Sequence, residues 1–197
     1  MLTKSQTLAA IFGSVIAASV FAADPAPEIQ RNVNQQQRIE QGLKSGELNT
    51  KEAARLEKGE ARIDRMEQKA LSDGKLSPAE KARIEHAQNA ESRAIYKEKH
   101  DAQKGNPNSA SSQRMQADVQ RNINQEKRIE QGVQSGALTN KEAAKLEGGQ
   151  ARVDRKEARA GADGHVGAGE QRRIQGAENR QSKRIHNKKH NEKTVEK

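Results

Sequence analysis

Apolar residues recur at helical rather than strand spacing along most of this chain. In the clearest example, Leu56, Ile63 and Ala70 are seven positions apart, and Ala53 and Met66 lie beside them on the same helical face. No stretch alternates apolar and polar residues as a strand does, and strong helix formers such as Ala, Glu, Lys, Arg and Gln dominate. The pattern predicts an all-α protein whose helices each carry one narrow apolar stripe.

The sequence consists largely of two tandem copies of one unit, offset by 90 residues. Residues 30–100 align with residues 120–190 without a gap and share 37 identities over 71 positions. Two Gly-containing breaks interrupt each copy, so each copy predicts a unit of three helices, helix–turn–helix–turn–helix. The predicted helices are 28–44, 50–71 and 78–101 in the first copy, and 118–134, 140–160 and 168–190 in the second.

The breaks share one pattern of turn and cap residues. A glycine adopts the left-handed conformation that ends a helix, an aliphatic residue follows two positions later, and a Glu completes the capping box of the next helix. Each second break also has an Asp before its glycine. The residues assigned to these turns and caps are Gly46, Glu52, Asp73, Gly74, Glu80, Gly136, Glu142, Asp163, Gly164 and Glu170.

These turns resemble the second half of an EF-hand loop, because Gly74, Leu76 and Glu80 occupy its Gly, aliphatic and Glu positions. The first half is absent, since Lys69 and Leu71 stand where the first two ligands belong. We therefore predict degenerate EF-hand-like, capped turns, with calcium binding as the less favoured alternative.

Composition changes the picture in two ways. Leu, Ile, Val and Phe make up 30 of 197 residues and 32% of the residues are charged, so the units are expected to be elongated or loosely packed. The absence of Cys excludes disulfides, thiolate metal sites and a Cys nucleophile. With little apolar surface to bury and no paired carboxylates, Ser–His–Asp order or phosphate loop evident, we predict that the protein is not an enzyme and has no cofactor.

The N-terminus predicts export. Lys4 precedes an uncharged apolar run, and Val20-Phe21-Ala22 presents small residues before a cleavage site at Ala23. The run is about 15 residues, shorter than the roughly 20 needed to span a bilayer. We expect a signal peptide at 1–22, no transmembrane segment after cleavage, and a location in the periplasm or outside the cell. The remaining segments are a first unit at 23–102, a flexible linker at 103–117, and a second unit with a basic tail at 118–197.

Two groups of side chains are candidate binding residues. His186 and His190 are four positions apart on a predicted helix, so both rings could face one divalent metal ion, although a solvated basic tail is favoured. The basic residues near them predict a surface for anions, either an anionic component of the cell envelope or an unknown protein. Nucleic acid is not expected, because the second unit has no aromatic residue for stacking. The residues assigned to anion binding are Lys183, Arg184, Lys188 and Lys189.

Polar residues that occur in both copies suggest networks between helices. Arg62, Asp64 and Arg65 recur at the same spacing in the second copy. In a unit with so small an apolar core, ion pairs and hydrogen bonds from such residues would fix the packing.

Several segments resemble a group of exported bacterial proteins of uncharacterised function. They include Arg38-Ile39-Glu40-Gln41-Gly42, the run from Ser72 to Glu80, and the segment from Ser92 to His100, and the resemblance extends over both units. It implies a bacterial, periplasmic setting and no particular activity. Leu138-Thr139 before a helix is also similar to a motif of Spy-type periplasmic chaperones. The functional hypotheses are a periplasmic binding or structural protein, with a stress chaperone of the Spy-like type and a divalent-metal-binding protein as alternatives.

Overall fold

The computed structural model describes residues 23–191, and within that range the chain forms six α-helices and no strands. The all-α prediction is therefore confirmed. The predicted signal peptide at 1–22 and residues 192–197 lie outside the described residues. The helices are α1 (Ala26–Ser45), α2 (Thr50–Ala70), α3 (Pro78–Lys99), α4 (Ala110–Gln134), α5 (Asn140–Ala160) and α6 (Ala168–Lys189).

Local chemistry explains where the helices begin. Asn49, Ser77 and Thr139 each accept a hydrogen bond from the backbone N–H of a Glu three residues later, and that Glu accepts from the capping residue in return. At the start of α6, Gly167 has no side chain to cap the helix, although its N–H still donates to Glu170 at 2.9 Å. The Glu residues of the predicted caps thus occupy the expected positions.

Two turns connect the helices within each copy, and all four turns are alike. Gly46, Gly74, Gly136 and Gly164 have φ between 75° and 94°, which favours glycine because it lacks a Cβ. The aliphatic residue two positions after each glycine is fully buried and anchors the turn. These residues are Leu48, Leu76, Leu138 and Val166.

The segment between the copies is more ordered than the flexible linker predicted at 103–117. Helix α4 begins at Ala110, with the Ser109 side chain as its cap, so the second half of the predicted linker is helical. The Gly105 N–H donates to the Gly46 carbonyl at 2.9 Å, which fixes the connection against the first turn of copy one.

The two copies pack against each other through the first two helices of each copy. The most extensive contacts between helices join α2 to its counterpart α5, followed by α1 to its counterpart α4. Both pairs are antiparallel: Gly161 at the end of α5 lies against Thr50 at the start of α2, and Gln116 near the start of α4 donates to Leu43 near the end of α1. The arrangement resembles a symmetric dimer within one chain, and it is more compact than the elongated or loosely packed units expected from composition.

Helices α3 and α6 flank this central group of four. Helix α3 packs on α1 and α2, and α6 packs on α4 and α5. The buried face of α2 is apolar at its start, with Ala53 and Leu56, and at its end, with Ala70. Between them, acidic residues share the buried face with Ala61 and Ile63. The buried acidic residues of α2, from Glu57 to Glu67, mark the position of the candidate site. Among residues 23–191, no helix has the length and apolar content needed to cross a membrane.

Candidate metal centre

The middle of the helical bundle contains buried carboxyl groups. On α2, Glu57, Glu60, Asp64 and Glu67 are spaced three or four residues apart and lie on the buried face of the helix. The equivalent positions on α5 are Glu147, Gln150, Asp154 and Glu157, all buried. Helix α4 adds Glu126, which is also buried. We call the eight acidic residues the central carboxylate cluster: Glu57, Glu60, Asp64, Glu67, Glu126, Glu147, Asp154 and Glu157.

Six of these residues form two triads whose carboxylate oxygens are close enough together to hold a metal ion. In the first triad, one carboxylate oxygen each from Glu57, Asp154 and Glu157 lie within 4.8 Å of one another. In the second triad, Asp64, Glu67 and Glu147 meet the same limit. Each member of one triad is the repeat counterpart of a member of the other. Because each triad takes residues from both α2 and α5, neither triad exists within a single copy.

The two triads are adjacent. The carboxyl of Asp64, in the second triad, is close enough to that of Asp154, in the first, for a hydrogen bond through a shared proton. Within the triads the same relation joins Glu57 to Glu157 and Glu67 to Glu147. The cluster is thus a continuous row of carboxyl groups, with the aspartates in the middle.

Amide side chains from α1 and α4 orient the glutamates. Gln36 donates to Oε2 of Glu57 at 3.0 Å, and Asn122 donates to Oε2 of Glu157 at 2.7 Å. In the second triad Asn32 donates to Oε2 of Glu67 at 2.8 Å. The Oε1 atoms of Glu57 and Glu157 accept no hydrogen bond from an N–H group or a hydroxyl. This pattern, in which an amide holds one oxygen and leaves the other available, is typical of the outer partners of metal ligands.

The negative charge of the cluster has no protein counter-charge. Within residues 23–191, no Lys, Arg or His side chain is buried, and none forms an ion pair with a member of the cluster. Glu60 is 1% exposed, and neither of its oxygens accepts a hydrogen bond from any described residue. Buried polar groups in folded proteins are normally satisfied, so this concentration of unpaired oxygens requires an explanation.

Burial raises the pKa of every member of the cluster. Removal from water is the largest cause, and the neighbouring carboxyl groups add to it. The pKa of Glu57 and the pKa of Glu67 are raised to about 8, because the amide donors from Gln36 and Asn32 partly oppose the effect of burial. Without a bound cation, Glu57 and Glu67 therefore hold protons at neutral pH.

Glycines in the middle of α2 and α5 make room beside the cluster. A Cβ on Gly59 would collide with the carboxylate of Glu91 on α3, and a Cβ on Gly149 would collide with the amide of Gln181 on α6. The sequence left open whether these glycines mark a bend or a close approach, and the structure shows a close approach. Glu91 also lines a cleft of about 600 Å³ between α2 and α3.

The structure places the predicted histidines away from this cluster. His186 and His190 are exposed, with ring centroids 4.3 Å apart, and Nδ1 of His190 lies 2.7 Å from the His186 carbonyl oxygen. Tyr96 and His100 in the first copy repeat this arrangement, although tyrosine is a poor ligand for a divalent metal. Among residues 23–191, no group of three potential ligands includes His186 or His190.

The acidic residues of the turns bind backbone groups. Oδ1 of Asp73 accepts from the Lys75 N–H at 2.8 Å, and Oδ1 of Asp163 accepts from the His165 N–H at 2.9 Å. Such bonds stabilise tight turns. Neither aspartate belongs to a group of three ligands within the described part of the chain.

The basic residues predicted to bind anions lie on α6 and differ in their exposure. Lys183 and Arg184 on α6 are exposed, whereas Lys188 is half-buried and lies 3.5 Å from Glu142, and Lys189 is half-buried. A separate groove of about 540 Å³ lies between the outer faces of α2 and α5, with alanines among its lining residues and no acidic residue. We call it the outer basic groove, and its basic residues are Lys51, Arg55, Lys58, Arg62, Arg65, Arg155 and Arg159.

The expected ion network around Asp64 does not form. Asp64 is buried in the cluster, whereas Arg62 and Arg65 are exposed on the opposite side of α2. Because the two arginines face solvent, they form no link from Asp64 to a neighbouring helix.

Sequence reasoning missed the central carboxylate cluster, although a signal was present. Acidic residues recur at helical spacing beside the apolar stripe of α2, and three of the four recur unchanged in α5. In the comparisons with known proteins, no family model, curated protein or solved structure matches the chain.

Proposed function

We propose that this chain is an exported, non-enzymatic binding protein that holds metal cations in the central carboxylate cluster. The observation that carries the proposal is the pair of buried carboxylate triads, related by the internal repeat and without a basic side chain near them. The export part of the proposal rests on the signal sequence at 1–22, and the expected location is the periplasm or the medium.

Electrostatics favours a bound cation. Moving an ionised carboxylate from water into a protein interior costs several kcal/mol unless an opposite charge accompanies it. In the metal-free protein, bound protons neutralise the carboxylates, and the pKa values of these groups are raised accordingly. A cation that displaces those protons interacts with several carboxylates at once in a medium that screens charge weakly.

The ligand types restrict the kind of cation. The cluster and the amides around it offer oxygen atoms only, and the residues 23–191 place no His or Cys among them. Oxygen ligands suit hard cations such as Ca²⁺, Mg²⁺ and Mn²⁺, whereas Cu²⁺ and Zn²⁺ favour nitrogen and sulfur. Hard cations are therefore the expected ligands.

The chaperone hypothesis has less support. Tyr96 is the one large apolar residue exposed on the described part of the surface. Binding of unfolded clients requires exposed apolar area, which this surface largely lacks.

The test measures thermal unfolding of metal-free protein with and without Ca²⁺ or Mn²⁺. We expect both ions to raise the melting temperature, and we expect the double variant Asp154→Asn, Glu157→Gln to lose that effect. The control variant His186→Ala, His190→Ala should respond as the wild type does. If the histidine variant abolishes the response and the carboxylate variant retains it, the metal site is at the histidines and this proposal is wrong.

The outer basic groove supports a second function, attachment to an anionic component of the envelope. Its seven basic side chains converge on one surface without an acidic residue among its lining. Such a surface attracts phosphate-bearing lipids and weakens as salt rises.

Co-sedimentation with phosphatidylglycerol vesicles tests this attachment. We expect Lys58→Glu with Arg62→Glu to abolish binding, and Lys183→Glu with Arg184→Glu to weaken it less. Equal binding by wild type and by the groove variant would contradict the assignment.

A further inference from the structure

We infer that the central carboxylate cluster holds two trivalent hard cations side by side, which share Asp64 and Asp154 as common ligands. This inference rests on the proposed metal-binding function and specifies the number and the charge of the ions.

The number follows from the arrangement of the ligands. There are two triads, each with three carboxylate oxygens within 4.8 Å of one another, and the internal repeat makes them equivalent. Asp64 and Asp154 belong to different triads and are in contact. A carboxylate has two oxygens, so each aspartate is able to bind one ion in its own triad and a second ion in the adjacent triad.

The charge follows from the count of acidic groups. The cluster has eight carboxyl groups and no buried basic residue in the described part of the chain. Two divalent cations would leave four carboxylates to be neutralised by protons, whereas two trivalent cations would leave two. Because uncompensated charge is costly in the interior, the cluster favours the more highly charged ions.

The environment of Glu60 independently indicates a bound ion in the cluster. It is outside both triads, is 1% exposed, and neither oxygen has a hydrogen-bond donor. The neighbouring charges that act on it are Glu91, then Glu57 and Asp154 of the first triad, and last Glu67 of the second triad. Such a carboxylate gains nothing from protein contacts, so we assign it to the ion in the first triad.

Glu126 is the additional buried carboxyl group near the second triad. It is buried on α4, and Glu67 is the neighbouring charge that acts on it most strongly. With these two residues and the two shared aspartates, each ion has five carboxylates nearby, which offer up to eight oxygens if each aspartate gives one oxygen to each ion. Hard cations larger than Mg²⁺ take six to eight oxygens or more, so the protein supplies enough ligands with little or no water.

The experiment titrates Tb³⁺ into metal-free protein and counts the bound ions by native mass spectrometry. We expect two Tb³⁺ per chain, retained in a hundredfold excess of Ca²⁺, with a luminescence lifetime that indicates at most one water on each ion. The variant Glu60→Gln, which introduces the residue present at position 150 in the second copy, should weaken the binding of one Tb³⁺ at least tenfold. The matched control Glu85→Gln removes a partly exposed carboxylate on α3 and should change neither affinity nor number.

The outcomes separate the two claims. If Ca²⁺ or Mn²⁺ competes equally with Tb³⁺, or if one ion binds per chain, the inference is overturned and the proposed function stands. If Glu60→Gln and Glu85→Gln behave alike, the role of Glu60 is wrong. If no cation binds to the wild type beyond what the Asp154→Asn, Glu157→Gln variant binds, both the inference and the proposed function fail.

Discussion

The two sides of helix α2 carry opposite charges and differ in their access to water. The inner side has Glu57, Glu60, Asp64 and Glu67, all buried against α5, α1 and α4. The outer side has only basic residues at the same helical spacing, all exposed: Lys51, Arg55, Lys58, Arg62, Arg65 and Lys69.

Like charges at the same helical spacing cost little free energy on the exposed side of the helix and much more on the buried side. On the outer side, water and salt screen repulsion between like charges, so six basic residues fit on one helix at little cost. On the inner side, screening is weak, and four acidic residues need protons or metal ions. The chain has a formal net charge of +9, so its acidic interior does not show in the total.

The largest effect on stability is expected when the two central aspartates of the cluster are replaced with neutral residues. Replacing both Asp64 and Asp154 with Asn removes two buried carboxyl groups, which are the ligands that the inferred ions would share. Metal-free protein at pH 8 should gain about 1–4 kcal/mol in free energy of unfolding, because on folding the aspartates must either take up protons or bury an unpaired charge, and asparagine does neither. Added cation should no longer stabilise the variant, whereas wild type gains about 2.7 kcal/mol at a ligand concentration of 100 times Kd.

Chemical denaturation with and without cation measures both effects. A variant that is less stable than wild type in the absence of metal would show that the aspartates contribute favourable contacts. The claim that acidic residues on the inner side of α2 destabilise the metal-free protein would then be wrong.

The next effect is the dependence of stability on pH in the metal-free protein. Burial raises the pKa of Glu57 and the pKa of Glu67 to about 8, so the folded state binds more protons than the unfolded state between about pH 4.5 and pH 8. Stability is therefore highest at the acidic end of this window and falls as pH rises through it, by up to about 1.4 kcal/mol per pH unit for each such group.

Denaturant unfolding in the presence of a chelator, at pH 5 and at pH 8, measures this fall. Cation-loaded protein should show a smaller change, because bound cations take the place of the protons. A metal-free protein with equal stability at both pH values would contradict the raised pKa values.

The smallest effect is expected on the outer side. Replacing Arg55 and Lys58 with Gln removes two exposed charges without altering the buried contacts of α2. The free energy of unfolding should change by no more than about 0.5 kcal/mol, and the number of bound cations should not change. A loss of several kcal/mol in the same denaturation experiment would show that the outer side also supports the fold.

Much of the fold was predictable because its signals are local. The capping boxes at Asn49, Ser77 and Thr139 and the glycines with positive φ depend on a few consecutive residues, so the sequence predicts five of six helix starts within about two residues. The start of α4 was missed because Ser109 lies in a segment with the composition of a linker. Packing of Gly105 on the first turn, which orders that connection, involves residues far apart in the chain.

The candidate site was less predictable. Glu57 and Glu67 look like ordinary surface residues when charges are read in sequence order, because Lys58 follows Glu57 and Arg65 lies two positions before Glu67. The exposed pair His186 and His190 has the familiar spacing of metal ligands, yet it lies on a helix end where the neighbouring side chains are basic. Spacing indicates which residues share a face, and it does not indicate whether that face is buried.

The sequence by itself determined the helices, their turns and the existence of two equivalent copies, since these depend on backbone preferences and short-range hydrogen bonds. The tertiary structure decided that each copy packs on the other, and that this packing encloses the acidic side of α2 and α5. Only that enclosure removes water from Asp64, Asp154 and their neighbours. The physical difference between a solvated row of charges and the proposed metal centre is the loss of water, and it depends on contacts between residues 90 positions apart.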